Sequence, residues 1–325
     1  MSVPVRERTI GVGDYHVHLH PHVPRPDSPP PGVYPKGHVD AYVERALSRG
    51  ATEVGFTEHM HRFVDLKRVA AGFWNVGSSA ELTERSRRYY YDELNLRLDR
   101  YTEAVLAARD RGLPVLLGLE VDFLPGRMEK ILDILSSLPF DYLIGSVHWI
   151  GAWAVDHDGM TAEFERRGVR RSYEDYFELV VELAESGMVQ VLAHPDVVKK
   201  FGHRCAEEPV DLYRRLVHAA QRHGVAFEVS SAGLRYEALE PYPASTLLRM
   251  CHEAAIPITL ASDAHYPEQA ADQYRTLVRY ARSAGYSQRI RFRTGGGREL
   301  VALPDPDDDN DWPPPTAAPA GDERQ

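Results

Sequence analysis

The chain has 325 residues, 43% of them hydrophobic and 26% charged, the balance of a globular protein with a sizeable core. Its net charge of −10, to which five aspartates between Asp305 and Asp311 contribute, argues against a nucleic-acid-binding surface, which needs a basic patch. Two cysteines without a Cys-x-x-Cys pair, no apolar leader and no apolar run of roughly 18 residues point to a reducing cytoplasm and exclude a disulfide framework, a structural-zinc module and a membrane span.

In chain order the pattern is strand, then helix, repeated. Ile10 to Leu19 reads as the first strand, followed by a proline-rich loop over 21–35. Helical spacing from Val39 to Ser48 stops at Gly50, and Glu53 to His59 reads as the second strand. Residues 61–83 read as a long loop with some helix, a candidate lid over a site. Glu84 to Arg111 predicts one long helix, and the apolar run Leu113 to Phe123 a strand buried on both faces. A short helix over 128–137 precedes a fourth strand, Asp141 to Ile150. Helices over 172–185, 210–222, 245–255 and 267–283 then alternate with strands over 189–194, 225–230 and 257–261. Phe292 to Leu303 reads as a last short strand, and the prolines and aspartates from Pro304 onward as a disordered tail. The expected organisation is one unit over 1–303 with the tail over 304–325.

Buried strands alternating with helices predict a parallel sheet, open or closed. The polar residues decide for a barrel, because they fall at the ends of many strands and would converge on one mouth. They are His16 and His18, Glu58 and His59, Glu120 and Asp122, His148, His194 and Asp196, Glu228, and Asp263 and His265. Side chains two apart on a strand share a face, so His16 and His18 project together, with Asp14 one step earlier, placed to orient a ligand. Asp196 reads as either a helix cap or a site residue, and Glu228 as a ligand, a ligand's partner or a substrate contact. Convergent histidines with interleaved carboxylates suit divalent metals. Adjacent metals suit phosphate chemistry: they clamp the attacking and leaving oxygens and ionise a water near neutral pH. No Gly-x-Ser-x-Gly elbow and no strand-end cysteine offers a protein nucleophile.

These motifs resemble the PHP (polymerase and histidinol phosphatase) superfamily, and within it the histidinol-phosphate phosphatases. The resemblance is carried by Asp14-Tyr-His-Val-His18, Phe56-Thr-Glu-His59, Gly118-Leu-Glu-Val-Asp-Phe123, Phe140 to His148, Ala193-His-Pro-Asp196 with Lys199-Lys-Phe-Gly202, Phe227 to Arg235, and Ala261-Ser-Asp-Ala-His265. It implies a distorted (β/α)7 barrel with a trinuclear site for Zn, Fe or Mn. By resemblance His16, His18, Glu120 and Asp263 hold the first metal, and Glu120 bridges to a second held by His148 and His194. His59 and His265 hold the third with one more histidine; His22 is favoured, and His20 and His38 stay open. Arg235 and Lys200 are the candidate substrate contacts, and Asp263 and His265 the candidates for proton handling. The implied reaction is hydrolysis of L-histidinol phosphate by an activated hydroxide, in histidine biosynthesis. A nucleotide, a sugar phosphate or a nucleic-acid end is the alternative substrate for the same chemistry. The implied partner is a small phosphate ester, with no nucleic acid and no membrane; the sequence specifies no oligomeric state.

Overall fold

The first strand, β1 (Val12–Val17), pairs in parallel with β2 (Ala51–Phe56) and opens a seven-stranded sheet. The others are β3 (Val115–Asp122), β4 (Tyr142–Ser146), β5 (Val191–Leu192), β6 (Ala226–Ser230) and β7 (Ile258–Ala261). Spatial order follows chain order, and every neighbouring pair is parallel. Beyond β7, Ala264 bonds back to β1: His18 N–H donates to the Ala264 carbonyl at 2.7 Å and Ala264 N–H to that of His16 at 3.3 Å. The result is a nearly closed, distorted (β/α)7 barrel. This computed structural model describes residues 11–75 and 78–312.

The barrel has two apolar regions. A large core packs the strands against the surrounding helices, and a smaller one fills the interior with Tyr15, Leu116, Tyr142, Ile144, Val191, Ala193, Ala226, Ile290 and Phe292. Glycines make room for its rings: a Cβ on Gly55 would lie 1.9 Å from the Tyr142 hydroxyl. Ile290 and Phe292 come from an antiparallel hairpin, Gln288–Phe292 and Arg298–Ala302, where the sequence predicts a single strand. With aromatic and aliphatic side chains below, the polar strand ends occupy the opposite mouth.

Two helices differ from expectation for tertiary reasons. The predicted helix over 84–111 is two, Ala80–Glu93 and Leu98–Asp110. Ser79 caps the first, the Arg62 carbonyl takes the N–H groups of Asn95 and Leu96, and the Asp65 carboxylate takes that of Leu98. The helix expected over 267–283 is a short turn, Pro267–Gln269, and a helix from Tyr274, because the Asp14 carboxylate captures the Ala271 N–H. Over 61–83 the structure has the expected loop with some helix, short turns and the one-turn helix Lys67–Ala70 before the helix from Ala80, and Arg62, Phe63, Leu66, Ala70, Phe73 and Trp74 in it are buried. Residues 76 and 77 lie outside the described residues.

The tail expectation also changes. Residues 304–312 dock on the barrel: Trp312 is buried, its Nε1 donates to the Asp305 carbonyl, and Arg275 lies 4.9 Å over its ring. Residues 313–325 lie outside the described residues. No described helix is long and apolar enough to cross a membrane.

Candidate metal centre

The mouth is built around Glu120, which β3 carries into the middle of the imidazoles. Its Oε2 lies 2.6 Å from His59 Nδ1, 3.3 Å from His16 Nε2 and 3.6 Å from His18 Nε2. Its Oε1 lies 2.9 Å from His194 Nε2 and 3.4 Å from His148 Nε2. Asp263 closes the other side, with Oδ1 at 3.3 Å from His18 Nε2 and 3.6 Å from His16 Nε2. Both His194 and Asp263 hold positive φ, 25° and 51°, a conformation costly for non-glycine residues that turns their side chains off the strand ends.

A bulge explains β1. Between Asp14 and Val17 its register shifts against β2, three residues matching two. Tyr15 therefore fills the interior while His16 faces Glu120, and Asp14 does not share the histidines' surroundings. It accepts from Ser262 and Ala271 instead of orienting a histidine. Glu228 does that work: its Oε2 lies 2.8 Å from His16 Nδ1 and its Oε1 accepts the His194 N–H. Asp122 holds His148 Nδ1 at 2.6 Å. Asp196 pairs with Lys199 and caps the Ala244 N–H, away from the cluster.

The three histidines left open separate clearly. His22 Nε2 lies 3.0 Å from His59 Nε2, which is 3.4 Å from His265 Nε2. Glu93, also paired with Arg62, fixes His22 at Nδ1. His20 takes the Gly32 N–H at Nε2, and His38 Nε2 meets the Leu19 carbonyl. His61 has no counterpart in the sequence reading, although His59-Met60-His61 repeats the His16-x-His18 spacing. Its Nδ1 is 3.0 Å from Asp122, and its ring groups with those of His59 and His148.

The donor set fits divalent ions. His16 Nε2, His18 Nε2, His59 Nδ1 and Glu120 Oε2 are buried and crowd together without the alignment of hydrogen bonds, a costly arrangement for polar atoms unless something binds them. Ligand atoms about 2.1 Å from a tetrahedrally bound ion are roughly 3.4 Å apart, and the His16, His18, Glu120 and Asp263 atoms are spaced 3.3–3.6 Å. Overlapping triplets draw on the same residues: His16 with Glu120 and His194, His16 with His18 and Asp263, and His18 with His59 and His265. Burial alone would raise the Glu120 and Asp263 carboxyls, but the surrounding imidazoles outweigh it and hold both well below the usual range. Burial pushes His59 and His265 well below 6.5, leaving neutral rings with a lone pair.

Above the cluster lies a cavity of about 500 Å3, floored by His59, His148, His194, Asp263 and His265. Lys200 lines it and reaches Asp156, 3.3 Å from its Oδ2. Burial would lower Lys200, but Asp156 outweighs it and keeps the ammonium charged. Its neighbour Lys199 is instead buried against Asp196, Glu240 and the Pro241 carbonyl. Arg235 does not line the cavity. It donates to the Ser262 and Asp263 carbonyls, both at 2.8 Å, and its Nη1 stays buried without a partner.

A parallel barrel whose mouth gathers histidines around shared carboxylates is the arrangement of a hydrolase, with side-chain groups that could hold metal ions. The PHP domain model matches residues 33–232, and the chain belongs to that family. It is 34% identical over 252 residues to a probable histidinol-phosphatase of Deinococcus radiodurans, covering 78% of this chain and 89% of the relative. A probable histidinol-phosphatase of Schizosaccharomyces pombe is 22% identical over 302 residues, 86% of this chain and 92% of that one. Among solved structures, the fold matches histidinol phosphate phosphatase from Lactococcus lactis subsp. lactis, complexed with zinc, L-histidinol and phosphate. The TM-score is 0.60 at 21% identity, over 88% of this chain and 98% of that one.

Proposed function

We propose that this protein, a histidinol-phosphatase-like phosphoric monoester hydrolase, converts L-histidinol phosphate to L-histidinol and phosphate at a centre of three divalent ions. The observation that carries the reading is Glu120, one carboxylate shared by His16, His18 and His59 on one oxygen and His148 and His194 on the other. Such a carboxylate is suited to bridge two ions. His16, His18 and Asp263 would complete the first position, His148 and His194 the second, and His22, His59 and His265 the third. Zinc, iron or manganese matches this N/O donor set. When bound, the ions supply positive charge for the phosphoryl oxygens and a water that ionises near neutral pH.

The chain's own groups do the rest. Glu228, Asp122 and Glu93 fix the imidazoles at Nδ1, which sets their tautomers and aims Nε2 inward. Arg235 braces the backbone of Asp263 from outside the cavity, a positioning role in place of the substrate contact expected from the sequence. Among the described residues Lys200 is the one lysine or arginine lining the cavity, and so the cation for an anionic substrate. Asp263, held ionised, and the neutral His265 beside it are the groups for proton handling. Residues 1–303 form the catalytic unit, and the unpaired Cys205 and Cys251 agree with a reducing compartment.

The test is phosphate release from L-histidinol phosphate by protein purified with Mn, Fe or Zn. Activity on generic esters without activity on this one would leave the chemistry standing and remove the substrate.

A further inference from the structure

We infer that Asp156 recognises the ammonium group of the substrate, and that Lys200 holds its place on that carboxylate until substrate binds. The inference rests on the reading of the substrate as L-histidinol phosphate.

Asp156 and Lys200 belong to different walls of the cavity. Asp156 follows the small hairpin Trp149–Ile150 and Trp153–Ala154, and Lys200 follows the turn Val197–Lys199. The ammonium bonds both the Asp156 backbone carbonyl, at 2.8 Å, and Oδ2, at 3.3 Å. Among the described residues each is the other's only ion-pair partner. Both are largely shielded, the Asp156 side chain 25% exposed and that of Lys200 17%. The other carboxylates of this rim differ: Glu93 is committed to His22 and Arg62, Asp92 is exposed, and Asp158 is 89% exposed.

A phosphate dianion entering over the histidines meets one ammonium, Lys200, and is the stronger partner for it than a single carboxylate. If Lys200 turns to the phosphate, Asp156 is left shielded and unpaired, which is costly. The substrate itself carries the replacement. In L-histidinol phosphate the amine sits on the carbon next to the phosphoester methylene, so one molecule presents the anion and the cation that the pair exchanges for each other. Tyr236, its ring centroid 4.6 Å from the Lys200 nitrogen, and Tyr242 continue the cavity wall with aromatic surface for the imidazole end.

The test compares metal-loaded wild type and Asp156→Asn on two esters, L-histidinol phosphate and 3-(imidazol-4-yl)propyl phosphate, which lacks only the amine. The ratio of kcat/KM values, amine over no amine, should fall about tenfold or more in the variant, whatever happens to each rate alone. A ratio unchanged within about twofold would overturn the inference. A wild-type ratio near one would overturn the substrate reading and this inference together, whereas a wild-type preference that Asp156→Asn retains overturns this inference alone. Calorimetric titration of L-histidinol into Lys200→Gln gives a second readout that does not depend on Asp156→Asn folding. Freed of its resident ammonium, Asp156 should bind the product amine several-fold more tightly than in wild type. Equal or weaker binding would count against the exchange.

Discussion

The Asp14 carboxylate holds Ser262 twice, at the backbone N–H (2.9 Å) and at the hydroxyl (2.6 Å), and so joins the first barrel strand to the loop after the last. A third bond, from the Ala271 N–H at 2.8 Å, stops the final helix from starting early. Asp263 follows Ser262 directly, so this contact sets the backbone from which the Asp263 side chain reaches the histidines. Asp14→Asn keeps the shape but turns an amide toward at least one of these donors. It should destabilise the fold by about 2 kcal/mol or more, since buried donors lose their acceptor. Urea unfolding of the two proteins measures this; a loss under about 0.5 kcal/mol would show that the barrel closes without this tie.

Glu58 gives the acid limb of stability. Its Oε1 accepts the Leu19 and His20 N–H groups at 2.6 and 2.9 Å. Burial alone would raise its carboxyl, but the His18 ring, 3.9 Å from its Oε2, and the charge of Arg62 outweigh this and bring it down to about 2, from 4.5 unperturbed. A depressed folded value means that the contribution is complete above the unfolded value of 4.5 and is lost as pH falls through about 2. Its size is on the order of 3 kcal/mol. Glu58→Gln should lack this part of the pH dependence. Chelator-treated wild type and variant that lose the same stability over that window would assign the acid limb to other groups.

The barrel was legible because its strands are short apolar runs ending in polar residues, and those residues had to meet somewhere. Glu120, His148 and His194 could be picked out for that reason. The bulge in β1 could not: period-two alternation places Asp14 with His16, and only the pairing with β2 shows the extra residue that separates them. Helix ends at 94–97 and 270–273 were hidden because the groups that set them, Asp65 and Asp14, lie far away in sequence. His61 had a visible signal in its spacing from His59, whereas Glu93 and Asp156 had none. They become site residues through the packing of a helix and a loop against the mouth.

Removing a histidine and removing its carboxylate partner should differ in degree. His16→Ala deletes a donor that Glu120 and Asp263 both face, and should abolish turnover with a measurable drop in bound metal. Glu228→Gln leaves the donor and loosens its aim, and should weaken metal affinity roughly 10- to 100-fold. Metal content by elemental analysis and titration of chelator-treated protein separate the two. Full turnover in His16→Ala would remove it from the site.

Trp312 tests the docked segment. Its ring lies where a Cβ on Gly50 would come within 2.6 Å, and Arg275 both covers it and pairs with Asp309. Trp312→Ala should cost about 2 kcal/mol, a melting shift of roughly 4–8 °C, with kcat/KM unchanged within about twofold because the contact is far from the mouth. An unchanged melting temperature would mean that this segment adds nothing to the barrel.

The choice among His20, His22 and His38 can be settled by three alanine variants. His22 is the one whose Nε2 faces His59, while Glu93 holds its Nδ1, and burial lowers it below its usual value so that the ring is neutral and able to coordinate. His20 and His38 spend ring nitrogens on the Gly32 N–H and the Leu19 carbonyl, contacts that shape the loop. His22→Ala should therefore lower the metal bound per chain and reduce kcat by about 100-fold or more, while His20→Ala and His38→Ala should retain the metal and lose about 1 kcal/mol of stability each. Metal stoichiometry decides the assignment independently of rate. If His38→Ala loses the ion and His22→Ala keeps it, the loop must rearrange when metal binds, and the third position belongs to His38.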